Sequence, residues 1–142
     1  MIIPGLRHSA VQVGGIVFFG RMLDKMRLHA QGKLPSDYKL GAGTDLRVCK
    51  FLGVEYPALV ERVLAGGADE ELLEWCFARG RKPNEEEIFM FNAFLTKRGW
   101  RDEVAAELDG EKQGRGFGDR HDIQTFVDFH DADEGRKPKY SV

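Results

Sequence analysis

Three scarcities narrow what this chain can be: few cysteines, no excess of positive charge, and no long apolar run. Two cysteines occur among 142 residues, Cys49 and Cys76, without C-x-x-C spacing, so the sequence offers no disulfide framework. Cys76 stands between Trp75 and Phe77 and Cys49 follows Val48, which predicts two small buried apolar residues in a reduced compartment. Arg47 and Lys50 flank Cys49 and could activate a thiolate, the one opening for cysteine chemistry. Lysine and arginine number 21 against 23 aspartates and glutamates, a formal net charge of −2. Nonspecific grip on nucleic acid draws its affinity from phosphate neutralisation, so this balance counts against that class. The apolar run after Arg7 is broken by Gln12, Gly14 and Gly15 and gives way to Arg21 with no small-residue cleavage site. It is too short to cross a bilayer, and the chain reads as cytoplasmic, without nucleic acid or membrane as partner.

What is present suits a globular helical protein. Apolar residues make up 42% of the chain and include ten phenylalanines, enough to build a core without staples. Apolar positions recur at helical spacing, and no segment alternates as a strand would. Gly32 ends a first helix, and Thr44 or Asp45 is expected to cap a second that Gly53 stops. Pro57 starts a third, ending near Gly66-Gly67, and Asp69 is expected to cap a fourth. Asn84 and Glu87 have capping-box spacing for a fifth, buried through Ile88, Phe89, Phe91, Phe94 and Leu95. Asp102 opens a sixth around 104–108, a glycine-rich break follows over 110–118, and a last helix starts near Asp119 or Asp122. The expected fold is all-α: a compact, non-parallel bundle of about six or seven short helices. It forms one domain over residues 1–135, followed by a loose polar tail over 136–142.

The stretch 12–32 organises the rest. Read as a helix, it gathers Ile16, Phe19, Met22, Leu23, Met26 and Ala30 on one face and Arg21, Asp24, Lys25 and Leu28 on the other. Asp24 lies three residues from both Arg21 and Arg27, so it can pair with either along the helix surface. Arg27 and His29 fall at the edges of the apolar stripe. A salt-bridged outer face explains these charges, and so does a ligand or partner site. Exposed pairs contribute only about 0–1 kcal/mol each, so stability gives little reason for so many.

Other motifs have simpler explanations. The acidic triples 69–71 and 85–87 stand at helix starts, where carboxylates are favoured without a metal. Gly114 to Gly118 follows no strand and precedes no Lys-Ser/Thr pair, so it is a connector rather than a nucleotide loop. His121-Asp122 and His130-Asp131, with His8 or His29, suggest a metal-dependent phosphohydrolase, but the pair sits too near the C-terminus; no metal or other cofactor is expected. A helix-turn-helix over 69–101 would bring three glutamates to the phosphates. Gly41-Ala42-Gly43-Thr44 leads into a helix start whose free N–H groups could hold an anion near Arg21, Lys25, Lys33 and Lys39.

Residues 14–30 (GGIVFFGRMLDKMRLHA), with Phe51 to Val54, Asp69 to Phe77, Lys97 to Asp102 and Asp122 to Phe126, resemble a family of small uncharacterised bacterial proteins classed as a domain of unknown function. The resemblance spans nearly the whole chain. It implies a bacterial origin and brings no activity, substrate or cofactor.

The residues themselves point to a non-enzymatic binding module that recognises a small anionic ligand or a protein partner. Its candidate site is Arg21, Asp24, Lys25, Arg27 and His29, with Tyr38 and Thr44 on the neighbouring loop. The alternative is a small enzyme using Asp24 or His29 as general acid or base, with Cys49 or Tyr38 nearby. A third reading is an oligomer joined through exposed aromatics such as Phe89 or Trp100.

Overall fold

The computed structural model describes residues 1–138. Among these the chain forms seven helices: α1 (Phe19–Ala30), α2 (Thr44–Leu52), α3 (Tyr56–Leu64), α4 (Asp69–Arg79), α5 (Glu85–Lys97), α6 (Ala105–Gly114) and α7 (Phe126–Glu134). The fold is all-α, and the one β-type feature among the described residues is an isolated bridge between Val13 and Ile16. The expected polar tail lies partly outside the described residues, from position 139 onward.

Among the described residues the chain forms two compact units: residues 4–90, and residues 1–3 with 91–138. In the first, α1 packs on α2 and α3, and α3 on α4. Ile16, Phe19, Leu23, Leu52, Leu59 and Leu72 are fully buried there. In the second, α6 packs on α7 around Leu108, Ile123, Phe126 and Phe129, with Phe117 set edge-on to Phe129 at 6.4 Å. The N-terminal ammonium donates to the Asp133 carbonyl at 2.8 Å, which fastens residues 1–3 to α7.

The start of α1 differs from the sequence expectation. Val13 and Ile16 exchange both backbone hydrogen bonds across Gly14 and Gly15, whose φ values are +57° and +83°. Two successive positive φ angles define a tight hairpin turn that only glycines enter cheaply, so the helix cannot begin before it. Phe18 then adopts φ +68° at the N-cap while its N–H donates to the Ser9 carbonyl at 2.9 Å. Ile16 reaches the core from this turn rather than from the helix. The polar side of α1 is also covered: Arg21 and Asp24 are 3% and 7% exposed.

Several caps are corrected as well. Gly43 and Ala68 occupy the N-cap positions of α2 and α4, with no side-chain cap at either. Thr44 and Asp69 are therefore the first helical residues, and the carboxylates of Asp45 and Asp69 are used elsewhere. The α6 helix continues through Gly110 to Gly114, which shortens the glycine-rich break. Thr125 and Asp128 form a capping box, so α7 begins at Phe126 rather than near 119 or 122. The Asn84–Glu87 box is present, with reciprocal bonds of 2.9 and 2.8 Å. Leu95 alone of α5 is buried, whereas Phe89 and Met90 are 67% and 56% exposed. Ile88 and Phe91 are half-buried as well, so the expected burial of that helix holds for those positions and fails at Phe89 and Phe94.

Candidate functional site

The ionic groups of α1 divide into two clusters, both within residues 4–90. The first is built around Asp24. Arg7 approaches it from the N-terminal segment as a two-pronged pair, Nε to Oδ2 at 2.8 Å and Nη2 to Oδ1 at 2.9 Å. The Arg7 backbone N–H adds a third bond to Oδ2 at 3.0 Å. Such a fork fixes geometry as well as charge. Arg7 Nη1 also lies 2.8 Å from Asp69 Oδ2, and Arg27 Nη2 donates to Asp69 Oδ1 at 3.0 Å. Arg27 Nη1 stands 3.6 Å from Asp24 Oδ1. The result is a closed ring in which Arg7, Asp69, Arg27 and Asp24 alternate in charge. Arg21 donates Nη1 to the Arg7 carbonyl at 3.2 Å and so braces the backbone that carries the fork.

Gly20 makes room for this arrangement. A Cβ at that position would lie 2.6 Å from Arg7 Nη1 and 2.8 Å from its Cζ. The guanidinium thus lies against bare helix backbone, a close approach that a side chain would block.

The electrostatics follow from the ring. The hydrogen bonds from Arg7 to Asp24, with those to Asp69, outweigh the cost of burial and hold the Arg7 proton more firmly than usual. Burial alone would raise the Asp69 pKa, but hydrogen bonds and charge from Arg7 and Arg27 bring it below its ordinary 3.8. A depressed carboxylate pKa contributes stability that is complete above the unfolded value and is lost as pH falls through the folded one. The stability gap between the wild type and D69N is therefore expected to be widest near pH 6 and to narrow on acidification below about pH 4. With a side chain still 21% exposed, the charge-dependent part should be no more than about 1 kcal/mol. Thermal melts of both proteins at pH 6 and pH 3 measure it.

The second cluster ties the loop before α2 to α1. Lys25 Nζ lies 2.9 Å from Asp45 Oδ1 and donates to the Lys39 carbonyl at 2.9 Å. Asp45 Oδ2 accepts the Gly41 N–H at 3.0 Å. The glycine loop, whose N–H groups could hold an external anion, instead receives the Asp45 carboxylate from within the chain. Gly41, at φ +71°, could not carry a side chain, since a Cβ would come 2.8 Å from the Tyr56 ring.

Of the residues singled out in the sequence, the structure gathers Arg21, Asp24 and Arg27 into the first cluster and Lys25 into the second. His29 is exposed in the last turn of α1, Thr44 opens α2, and Tyr38 is half-buried on the loop. Among the described residues, no hydrogen bond or ion pair joins the His29 ring or the Thr44 hydroxyl to either cluster. Sequence reasoning missed Arg7 and the pairing role of Asp69. The available signal was Gly20, a glycine inside a helix with no turn to explain it. The cysteines are 1% and 0% exposed, and desolvation pushes both thiols up to about 12, which leaves them protonated at neutral pH.

The sequence profile of a domain of unknown function, DUF5069, matches residues 4–136. The chain belongs to the DUF5069 family. No curated protein matches it. The DUF5069 match includes both ionic clusters and all seven helices. Among the described residues, no helix is long and apolar enough to cross a membrane.

Proposed function

We propose that this DUF5069 protein is a non-enzymatic binding module that meets a protein partner through the charge ring on α1. The observation supporting this reading is the fixed alternation of Arg7, Asp69, Arg27 and Asp24, with Arg7, Arg27 and Asp69 side chains 26%, 31% and 21% exposed. Pre-ordered alternating charges suit a partner surface with the opposite pattern, where they contribute specificity and association rate. They suit a bare small anion less well. Three arginines and two aspartates leave this patch at +1, and an anion would compete with carboxylates already bonded at 2.8 to 3.0 Å. The enzymatic alternative has less support, because both oxygens of Asp24 already accept from Arg7. The two buried cysteines, neither in a disulfide, favour a cytoplasmic setting, and a bacterial origin belongs to the same proposal.

The test is Arg27→Glu. Reversal sets a third carboxylate beside Asp24 and Asp69, so a cost of about 1–3 kcal/mol in urea unfolding is expected, and recovery is compared well below the unfolding transition. The substitution should also abolish recovery of a species that the wild type retains from a bacterial extract by cross-linking. Recovery of the same species by both proteins would contradict the proposal. So would a thermal midpoint that rises with inorganic phosphate in the wild type and not in R27E, which would favour the small-anion reading.

A further inference from the structure

The second unit holds a recess of about 290 Å³, lined by Trp100, Arg101, Leu108, Lys112, Ile123 and Gln124. Lys112 is unusual there. It is 8% exposed, and lysines so buried are almost always paired with a carboxylate. An ammonium has three N–H donors. Among the described residues the acceptor for Lys112 Nζ is the Ile123 carbonyl at 3.1 Å, and no carboxylate lies within ion-pairing distance. Asp122 is close enough to feel its field but is held in a two-pronged pair by Arg120 at 2.8 and 2.7 Å. The buried ammonium therefore has donor capacity that the protein does not use.

The rest of the recess supplies a second cation and an apolar surface. Trp100 is 49% exposed, and the Arg101 guanidinium lies 5.4 Å from the centre of its ring. Arg101 has φ +51°, a conformation that costs a non-glycine residue about 1 kcal/mol or more and that recurs at ligand sites. Leu108 and Ile123 are buried and line the apolar part. Asp109, which also lines the recess, accepts from Gln113 at 3.0 Å. Its charge opposes a doubly charged anion more than a singly charged one.

We propose that this recess binds a small organic monocarboxylate, its carboxylate on Lys112 Nζ and its apolar body against Trp100, Leu108 and Ile123. The two unused ammonium donors can both be accepted by the oxygens of one carboxylate. Arg101 closes the open side, where its guanidinium can exchange the face of Trp100 for the ligand. This site shares no residue with the α1 ring, so it stands or falls independently of the protein-partner reading.

The test uses the full chain carrying W75F, so that emission reports on Trp100, with phenylacetate, acetate and inorganic phosphate as probes. Phenylacetate should give a saturable change, acetate a weaker one, and phosphate none in the same range. K112M, which keeps the stem and removes the charge, should weaken phenylacetate about tenfold or more, as expected for the loss of charge-assisted hydrogen bonds. R101A, at an exposed position, should weaken it about threefold or more and serves as the deciding variant should K112M fail to fold. E61Q, at an exposed position on α3 outside both sites, should bind phenylacetate as the parent does. The proposal is overturned by the absence of saturation up to about 10 mM, which corresponds to less than about 3 kcal/mol of binding. It is equally overturned by phosphate binding more tightly than phenylacetate, or by unchanged affinity in R101A.

Discussion

Gly80→Ala should destabilise residues 4–90 by about 3 kcal/mol or more, the largest single-methyl effect expected in the chain. A Cβ at Gly80 would stand 1.9 Å from the Leu52 carbonyl oxygen and 2.7 Å from that of Gly53. Both obstacles are backbone, so no rotamer change relieves them. Moving either segment would break the bond from the Arg81 N–H to the Leu52 carbonyl, at 2.9 Å, which satisfies an acceptor at the end of α2. It would also disturb Arg81, whose Nη1 donates to the Phe51 carbonyl at 2.9 Å. Gly53, at φ +73°, ends α2 at the same place and lies 3.4 Å from the Gly80 Cα through its own built Cβ position. The exit of α4 is thus joined to the exit of α2 at a distance only glycine permits. Gly110→Ala is the control: nothing lies within 4 Å of a Cβ there, and the position is helical. That change should be neutral or stabilising by about 0.5–1 kcal/mol. Urea unfolding of both variants gives the comparison, and similar midpoints would refute the backbone-contact account.

Asp24→Ala should cost about 2–3 kcal/mol, well beyond the value of an exposed ion pair. Asp24 is 7% exposed and receives three hydrogen bonds from Arg7, so its removal strips the fork and a backbone N–H of their acceptor together. Breaking a partly buried pair from one side is costly because the other charge stays behind without compensation. Arg7 would keep Asp69 at 2.8 Å, which is why the loss is placed below that of a fully buried pair. Asp24→Asn tests the cause. It preserves shape and one acceptor, so a cost close to that of D24A would assign the effect to charge, and a much smaller one to packing.

The sequence is most legible where structure is local. Gly53 ends α2, Asn84 and Glu87 close a capping box, and the period of Phe19, Met22, Leu23 and Met26 marks the core side of α1; each depends on residues within one or two turns. The departures share a different cause. Gly14-Gly15 is a turn dipeptide set in a run apolar enough to continue a helix, and the paired positive φ angles show that the turn prevails. Asp69 is of the residue type and in the place expected of a cap, yet its carboxylate is taken by Arg7 and by Arg27, 42 positions away. Asp45 likewise satisfies Gly41 and Lys25 rather than its own helix end. Ionic partners chosen across such separations follow from tertiary packing, which periodicity does not encode. Thr125 is hard to single out in sequence because aspartates at 119 and 122 offer the same capping chemistry a few residues earlier.

Arg7 and Asp24 act as one coupled unit that fixes the charged side of α1. A double-mutant cycle with R7A, D24A and R7A/D24A, each followed by urea unfolding, measures that coupling directly. An interaction energy of about 2 kcal/mol is predicted, with the double variant little worse than D24A alone. A value below about 0.5 kcal/mol, with the two single losses simply adding, would contradict it.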